Sequence, residues 1–237
     1  MTVLLVTGTG TGVGKTVVTA AVAALSLADG RSCTVVKPAQ TGVDDDAPGD
    51  LADIARLAPG VTSVELVRFP DPLSPAAAAR RCGRPALDPA RCARAVLDAE
   101  ASSELVLVEG AGGLLVRFDE DGFTMAELAR TLRLPVLVVT QAGLGSLNAT
   151  ALTLEVLAAR GLDLQGLVIG AWPREPDLAA RCNVADLEML GARPLLGALP
   201  EGLGEADPEA FLTAARTGLG PVLGGSFDAA AFRLAAR

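Results

Sequence analysis

The chain has 237 residues, half of them hydrophobic, and a formal net charge of −8 at pH 7. The negative charge disfavours non-specific nucleic-acid binding, because such binding needs a positive surface to displace counterions from phosphates. The sequence contains no histidine and no tyrosine, which excludes Ser-His triads, histidine-ligated metals and imidazole acid–base chemistry. Carboxylates, lysines, hydroxyls and backbone amides remain to carry any reaction.

Apolar runs typical of β-strands alternate with helix-like segments along the whole chain. The predicted strands are residues 3–7, 33–37, 105–109, 136–140, 164–170 and 193–199. The predicted helices are residues 15–28, 51–58, 75–81, 89–101, 124–132, 147–160, 177–190 and 208–217. This alternation predicts an α/β fold with a mostly parallel β-sheet and helices on both faces.

The helix ends carry recognisable signals, and no feature divides the chain. Asp88 before Pro89 is expected to cap one helix, and Gly161 is expected to end another. The sequence has no linker, repeat or low-complexity block, so we predict a single domain over residues 1–237, with residues 42–49 and 218–225 as the only candidate breaks. In such sheets ligands bind beyond the carboxyl ends of the strands.

Neither export nor membrane insertion is indicated. No apolar run approaches the ~20 residues that a membrane span requires, and residues 1–7 form a strand-like run without a basic leader. We therefore expect a cytoplasmic protein. The four cysteines are widely spaced without a C-x-x-C pair, so we expect buried thiols and neither a zinc site nor a redox pair: Cys33, Cys82, Cys92 and Cys182.

A glycine-rich segment, residues 8–16, follows the first predicted strand and opens the first predicted helix, with the sequence GTGTGVGKT. In this context the segment indicates a phosphate-binding P-loop. Backbone N–H groups and the helix N-terminus would meet phosphate oxygens, Lys15 would reach the outer phosphates, and the Thr16 hydroxyl could bind magnesium. Five residues, instead of the usual four, separate Gly8 from Gly14. The alternative is an ordinary strand-to-helix turn.

The second predicted strand ends in the segment KPAQTG, residues 37–42. Of 20 basic residues only Lys15 and Lys37 are lysines, which suggests that a compact ammonium is required at these positions, since the planar fork of arginine cannot replace it. Pro38 is expected to prevent continuation as a central strand and to present Lys37 at the sheet edge near the P-loop. The alternative is a surface lysine with no catalytic role.

Two carboxylates are candidates for binding a metal. Glu109 ends a predicted apolar strand before the turn GAGG, residues 110–113, and a carboxylate at that place beside a P-loop is expected to bind Mg²⁺. Asp50 immediately precedes a predicted helix and is expected to be its N-cap. Asp46 and Asp53 remain alternatives to Asp50, although the acidic cluster at residues 44–46 is more typical of a solvated loop.

Taken together, these segments resemble the dethiobiotin synthetase family. The resemblance covers most of the chain and depends on the order and spacing of five motifs: the long P-loop with Thr11, the segment from Lys37 to Gly42, Asp50 before its helix, the turn after Glu109, and the stretch GLGSLN at residues 143–148. It implies a P-loop ATP-dependent ligase. Such an enzyme closes a cyclic urea from diaminopelargonic acid and carbon dioxide through a phosphorylated carbamate.

The resemblance also implies roles for individual residues. Thr16, Asp50 and Glu109 would hold Mg²⁺ on the phosphates of ATP. Lys15 and Lys37 would neutralise the carbamate and the transferred phosphoryl group, with Thr11, Thr41 and the backbone of Gly112 orienting them. The remaining residues implied for nucleotide binding come from the P-loop and from three later turns: Gly12, Val13, Gly14, Val17, Gly110, Ala111, Gly170, Ala171, Leu199 and Pro200.

Two further implications concern the base and the substrate tail. Some members of the family have an asparagine at the strand end that contacts the purine, whereas this chain has Gly170, so ATP, CTP or another nucleotide could serve. Leu147 and Asn148 resemble the segment that holds the substrate's carboxylate tail across a two-fold homodimer. From the residues alone, Asn148 is as well explained as a helix N-cap.

Other readings of a P-loop protein fit the sequence less well. An amide-forming cobyrinate-type synthase would need a glutaminase with a catalytic histidine, which the chain lacks. A partitioning or site-selection ATPase would carry a second lysine early in the P-loop, where Gly10 stands, and a membrane tail that residues 226–237 resemble only weakly. A GTPase is disfavoured because the segment NVAD, residues 183–186, lacks the lysine of the guanine motif and lies in a predicted helix.

Overall fold

A computed structural model describes residues 3–236, so Met1, Thr2 and Arg237, which the leader and tail predictions include, lie outside the described residues. The strands are β1 (Val3–Gly8), β2 (Cys33–Thr41), β3 (Thr62–Phe69), β4 (Leu105–Gly113), β5 (Val136–Thr140), β6 (Leu164–Trp172) and β7 (Gly197–Pro200). The α-helices are α1 (Lys15–Ala28), α2 (Asp50–Leu57), α3 (Pro75–Cys82), α4 (Pro89–Ser102), α5 (Met125–Leu132), α6 (Ser146–Ala159), α7 (Leu178–Gly191), α8 (Pro208–Gly218) and α9 (Ala229–Ala235). Short 3-10 turns occupy Leu203–Glu205 and Pro221–Leu223.

All seven strands form one parallel sheet in the order β3-β2-β4-β1-β5-β6-β7. Strand β1 lies at its centre and is buried along its whole length, as expected for a Val/Leu-rich strand covered on both faces. Helices α1, α2 and α8 form one apolar layer with the sheet, and α4 to α7 form the other. The predicted α/β fold is confirmed.

The prediction that β2 does not continue as a central strand past Pro38 is confirmed, but the strand itself continues to Thr41, beyond the predicted end at Lys37. Pairing of β2 with β4 stops at Val36, whereas pairing with β3 continues to Thr41. Between Thr34 and Thr41, Pro38 is the residue without a partner on β3, as expected for a residue that has no N–H to donate.

Several element boundaries also differ from the predictions. Strand β3 was not predicted, because this edge strand is only half-buried and carries charged residues such as Glu65 and Arg68 among its apolar ones. Strand β4 extends past Glu109 to Gly113, and β7 begins only at Gly197. The helix ends at Asp88 and Gly161 are confirmed: the Asp88 side chain accepts from the Ala90 N–H, and Gly161 follows α6 with a φ of 63°.

The described residues 3–236 contain no helix that is both long and apolar enough to cross a membrane. The cysteine prediction holds in part: Cys33 and Cys92 are buried, and burial raises the pKa of each thiol to about 12. Cys82 is half-buried, and Cys182 is exposed on α7, so the expectation of a buried thiol is wrong there. The buried face of α7 at this point is formed by the next two residues, Asn183 and Val184.

Candidate nucleotide and metal site

The glycine-rich segment lies between β1 and α1, at the carboxyl edge of the sheet. Its last glycine, Gly14, is the N-cap of α1 with a φ of 94°, and no side chain caps the helix. The first N–H groups of α1 are therefore left for an anion, which the helix dipole also favours. The Lys15 ammonium donates to the Gly10 carbonyl at 3.1 Å, which holds the lysine along the loop.

The loop packs directly against the end of β6. A Cβ atom at Gly14 would lie 2.7 Å from the Gly170 carbonyl oxygen, and a Cβ atom at Gly170 would lie 2.0 Å from the Val13 carbonyl oxygen. Both positions therefore require glycine. Close packing of the P-loop on β6 explains why Gly170 stands at this strand end and why an amide side chain would not fit there.

A charged cluster occupies the floor of the site. The Lys37 ammonium, on β2, donates to Asp50 Oδ2 and to Glu109 Oε1, the latter at 2.8 Å. The Thr16 hydroxyl, in the first turn of α1, donates to the same Glu109 Oε1 at 3.0 Å. Residues from β2, β4, α1 and α2 thus meet at one point, although the most distant of them lie 93 positions apart in the sequence.

Burial makes the charges of this cluster interdependent. The side chain of Lys37 is 3 % exposed and that of Glu109 is fully buried, whereas that of Asp50 is 35 % exposed. Burial alone would lower the pKa of Lys37, but the charges of Glu109 and Asp50 outweigh it and raise the pKa. For Lys15 burial dominates, followed by repulsion from Lys37, so its pKa is lowered.

The position of Asp50 differs from the sequence prediction. Asp50 is the first residue of α2, and Gly49 is the N-cap, so the prediction that Asp50 caps the helix is wrong. Its carboxylate turns to Lys37. The two alternatives lie elsewhere: Asp53 pairs with Arg56 at 3.7 Å on the same helix, and Asp46 is exposed in the loop before it.

The residues present fit a hard divalent cation. Among residues 3–236 no three histidine, cysteine, aspartate or glutamate side chains form a metal cluster, so two carboxylates and one hydroxyl are the donors available. Glu109 Oε2 is buried and accepts no hydrogen bond from the described residues. Such an atom is costly unless a partner arrives. Oxygen donors of this kind, completed by phosphate oxygens and water, suit Mg²⁺.

A cleft of about 770 Å³ opens above the cluster. The predicted residues that line it come from the P-loop and the ends of β2 and β4: Thr11, Gly12, Gly14, Lys15, Thr16, Val17, Lys37, Thr41, Asp50, Gly110, Ala111 and Gly112. Sequence reasoning missed its opposite wall, which is formed by Gln40, Val116 and the segment 72–75. Gln40 stands within the KPAQTG segment, the one signal that could have drawn attention to it.

Eight other predicted site residues do not line this cleft. Val13 and Glu109 are buried, each next in sequence to a residue that does line it, and the remaining six lie later in the chain. Ala171 and Pro200 are exposed and Gly170 and Leu199 are buried at the ends of β6 and β7, on the β6 side of the P-loop. Leu147 and Asn148 lie in the first turn of α6, and Asn148 is exposed. Because α6 begins at Ser146 with Gly145 as its N-cap, Asn148 does not cap the helix.

A glycine-rich loop opening α1, with the adjacent threonine bonded to a buried carboxylate on β4, defines a P-loop nucleotide-binding protein. A family model described as "AAA domain" matches residues 2–204. The chain is 62 % identical over 234 residues to the "ATP-dependent dethiobiotin synthetase BioD" of Parafrankia sp. (strain EAN1pec), covering 98 % of each chain. The protein of the same name from Frankia casuarinae is 60 % identical over 234 residues, again with 98 % of each chain covered.

The chain therefore belongs to the dethiobiotin synthetase family, whose members are ATP-dependent ligases that form C–N bonds. Among solved structures, the MinC:MinD cell division protein complex of Aquifex aeolicus is similar, with a TM-score of 0.59 at 15 % identity, covering 96 % of this chain and 98 % of that one. At this identity the likeness shows the fold alone. The relatives that match over almost the full length, in contrast, show that the chain belongs to a family of ligases and not to the site-selection ATPases.

Proposed function

We propose that the protein closes the ureido ring of dethiobiotin from diaminopelargonic acid and carbon dioxide, using ATP or another nucleotide such as CTP. One observation supports this beyond family membership: Lys37, Asp50, Glu109 and Thr16 converge beside the P-loop at the floor of a cleft. The cleft has room for a second reactant next to the nucleotide phosphates. Neither histidine nor tyrosine chemistry is needed.

The reaction balances in three steps. One amine of diaminopelargonic acid adds to carbon dioxide and loses a proton, which gives a carbamate. A carbamate oxygen attacks the γ-phosphorus of the nucleotide, which forms a mixed anhydride and releases the nucleoside diphosphate. The second amine then attacks the carbamoyl carbon, so the C–O bond to the phosphate breaks and inorganic phosphate leaves with that oxygen. Positioning and charge stabilisation are the main requirements of such a phosphoryl transfer.

The basic groups are placed to stabilise the transferred charge. The free N–H groups at the start of α1 would bind the phosphates, and Lys15 extends along the same loop. Lys37 approaches from β2, on the side where Thr41 and Gly112 line the cleft. Its buried ammonium would act on the phosphoryl group and carbamate, and Thr11 and the Gly112 backbone would orient them.

Thr16, Asp50 and Glu109 would hold Mg²⁺, and the cation would supply positive charge to the phosphate oxygens. The unpartnered Glu109 Oε2 and the exposed edge of Asp50 provide free oxygen atoms for it. At present the Lys37 ammonium balances both carboxylates. A second positive charge between them would release part of that attraction and leave Lys37 free to turn to the substrate.

The base would be read mainly by backbone groups. The residues around it would be Gly170 and Ala171 near the end of β6 and Leu199 and Pro200 at the end of β7. Trp172 on β6 pairs with Pro200 on β7, which holds the ends of these two strands side by side. No side-chain amide is available at Gly170, since the packing against Val13 leaves no room for one.

The substrate tail would be held in a homodimer by Leu147 and Asn148. Asn148 is exposed on α6, with Leu144 before it and Leu152 after it at spacings of four residues. Leu144 is 92 % exposed and Leu152 57 % exposed. Leu152 shares a helix face with Asn148, and Leu144 lies in the turn just before α6. These two exposed leucines flank Asn148 along the chain as an apolar strip, which a second copy would cover. Residues 1–237 would then act as one ligase domain per protomer, in the cytoplasm.

Product analysis with isotopically labelled bicarbonate tests the proposal. The protein is incubated with diaminopelargonic acid, ¹³C-bicarbonate, Mg²⁺ and ATP, and the products are separated by mass spectrometry. We expect a cyclic urea that carries the label in its carbonyl group, formed in equal amount with ADP. ADP formation without a labelled cyclic product would contradict the assignment.

A further inference from the structure

Gln40 is a buried polar residue next to the charged cluster. It lies on β2, three residues after Lys37, and is only 5 % exposed. Its side-chain oxygen accepts a hydrogen bond from the backbone N–H of Asp50 at 2.9 Å, and its side-chain nitrogen donates to the Thr41 carbonyl at 3.1 Å. Both ends of the amide are thus used, which fixes its orientation.

Helix α2 depends on this contact for its cap. Its N-cap residue is Gly49, and no side chain of its own caps the first turn. Gln40 takes that role from a neighbouring strand, by accepting from the first N–H of the helix. The contact is close, because a Cβ atom at Gly49 would lie 2.8 Å from Gln40 Oε1. Gly49 therefore allows the start of α2 to press against Gln40.

The bond links the backbone of Asp50 to the strand that carries Lys37. Asp50 is therefore held twice: its N–H by Gln40 and its carboxylate by Lys37. When the Lys37 ammonium turns to a substrate, Gln40 remains as the contact that keeps the Asp50 carboxylate facing Glu109. Partners of this kind that orient a metal ligand without touching the metal strongly affect metal affinity.

The rest of α2 and the preceding loop are anchored independently of Gln40. Ile54 and Leu57 bury the helix body in the apolar layer that it shares with α1. In the loop, the Arg68 guanidinium donates to the carbonyls of Asp44 at 2.9 Å and Ala47 at 2.6 Å. Loss of the Gln40 cap is therefore expected to loosen only the first turn of α2, where Asp50 stands.

We propose that Gln40 is a positioning residue for the metal-binding carboxylate of Asp50. It acts through the Asp50 backbone and does not touch the cation. The inference rests on the proposed function in one respect, which is that Asp50 binds the metal. It assigns a role in metal binding to a residue outside the cluster of Thr16, Asp50 and Glu109.

The Gln40→Met variant tests the proposal, because methionine has a similar length but cannot accept from Asp50. The measurement is Mn²⁺ binding by electron paramagnetic resonance in the presence of a non-hydrolysable ATP analogue. We expect Mn²⁺ to bind about tenfold more weakly, at the low end of the range for such partners. Binding of the analogue without metal should be unchanged, which a general loss of structure would not allow.

A helix cap far from the site provides the matched control. Asp88 accepts from the Ala90 N–H at 2.9 Å at the start of α4, so Asp88→Ala removes a bond of the same kind. That variant should unfold at a lower temperature and bind Mn²⁺ as the unmodified protein does. If Asp88→Ala weakened Mn²⁺ binding as much as Gln40→Met, the effect would be one of stability and the proposal would be overturned.

A double-mutant cycle separates this inference from the metal assignment. Asp50→Asn should weaken Mn²⁺ binding, and adding Gln40→Met to it should cause no further loss, because the two residues act as one unit. An additive loss, or wild-type affinity in Gln40→Met alone, would overturn the positioning role while leaving the metal site in place. Wild-type affinity in Asp50→Asn would instead overturn the metal assignment and the inference with it. Ring closure itself is tested separately by product analysis.

Discussion

At the scale of single residues, Lys37 determines the charge balance of the site. Its ammonium is buried between two carboxylates that would otherwise face each other. A buried charge without a partner is strongly unfavourable, so the buried charges of Lys37 and Glu109 depend on each other. The same ammonium is the positive group nearest to where the substrate is expected, and it is therefore the first target for mutation.

We expect Lys37→Ala to lower turnover by about two to four decades, because one preorganised cation in a partly dry cleft contributes on the order of 3 to 5 kcal/mol to the transition state. Nucleotide affinity should change far less. Lys37→Arg should rescue turnover poorly, since the guanidinium is wider and planar. Steady-state rates with nucleotide titrations measure both effects. Near-normal turnover in Lys37→Ala would return the residue to a structural role.

Mutation of the carboxylates should change the Mg²⁺ requirement of turnover, whereas mutation of Lys37 should change the turnover rate itself. Asp50→Ala and Glu109→Ala are expected to fold but to need more Mg²⁺ for half-maximal rate, because each removes an oxygen ligand. A magnesium titration of turnover, with circular dichroism as the folding control, measures this. If Asp50→Ala kept the wild-type rate across the titration, the ligand would be a neighbour, and Asp53 would be examined next.

The sequence was informative about which residues matter and less so about how they meet. Lys37, Glu109 and Thr16 stood out because they end strands or begin a helix next to glycines. The bond of Gln40 to the Asp50 backbone could not be predicted, because it depends on β2 continuing past Pro38 and on Gly49 allowing close approach. Contacts between a side chain and a distant backbone leave no periodic pattern in the sequence.

At the scale of elements, the P-loop packs tightly against β6, at the strand end where we propose that the nucleotide base binds. Val13 and Gly14 pack on Gly170 so tightly that neither glycine admits a side chain. We therefore expect the base to be bound near the ends of β6 and β7, with backbone groups as its main hydrogen-bonding partners. Backbone donors and acceptors discriminate between bases less sharply than a dedicated side-chain amide.

Relaxed nucleotide choice is expected from this arrangement. Affinities for ATP, CTP, GTP and UTP should lie within about two orders of magnitude, since one missing bidentate base contact is worth ~1 to 3 kcal/mol. Isothermal titration calorimetry with each nucleotide at fixed Mg²⁺ measures the four affinities. A strict preference for adenine would show that another group reads the base.

Elements with a strong apolar pattern were the predictable ones. The buried strands β1, β5 and β6 and the long helices were located from Val/Leu runs and from caps such as Asp88. Strand β3 was missed because it lies at the edge of the sheet and pairs with one neighbouring strand. Its residues are mostly half-buried, so charged side chains are tolerated along it. Helix α9 was also missed, since it has only seven residues. Its Phe232 ring packs against the Trp172 ring, with 4.9 Å between the ring centroids.

At the scale of the whole molecule, the substrate site is expected to be complete only in a dimer. The exposed strip of Leu144, Asn148 and Leu152 does not line the cleft of its own protomer. Asn148→Ala should raise the Michaelis constant for diaminopelargonic acid with little effect on nucleotide binding, because a non-reacting carboxylate contributes uniform binding. Steady-state kinetics and light scattering test this together. A fully active monomer would contradict it.

The transfer of oxygen from bicarbonate to phosphate tests the central claim most directly. The protein is incubated with diaminopelargonic acid, ATP, Mg²⁺ and ¹⁸O-labelled bicarbonate, and the released phosphate is analysed by ³¹P NMR or mass spectrometry. If the cluster of Lys37, Asp50, Glu109 and Thr16 phosphorylates a carbamate before ring closure, the oxygen lost from the carbamate leaves with the phosphate. We expect phosphate that carries the label, in equal amount with the cyclic urea. Cyclic urea formed together with unlabelled phosphate would contradict it.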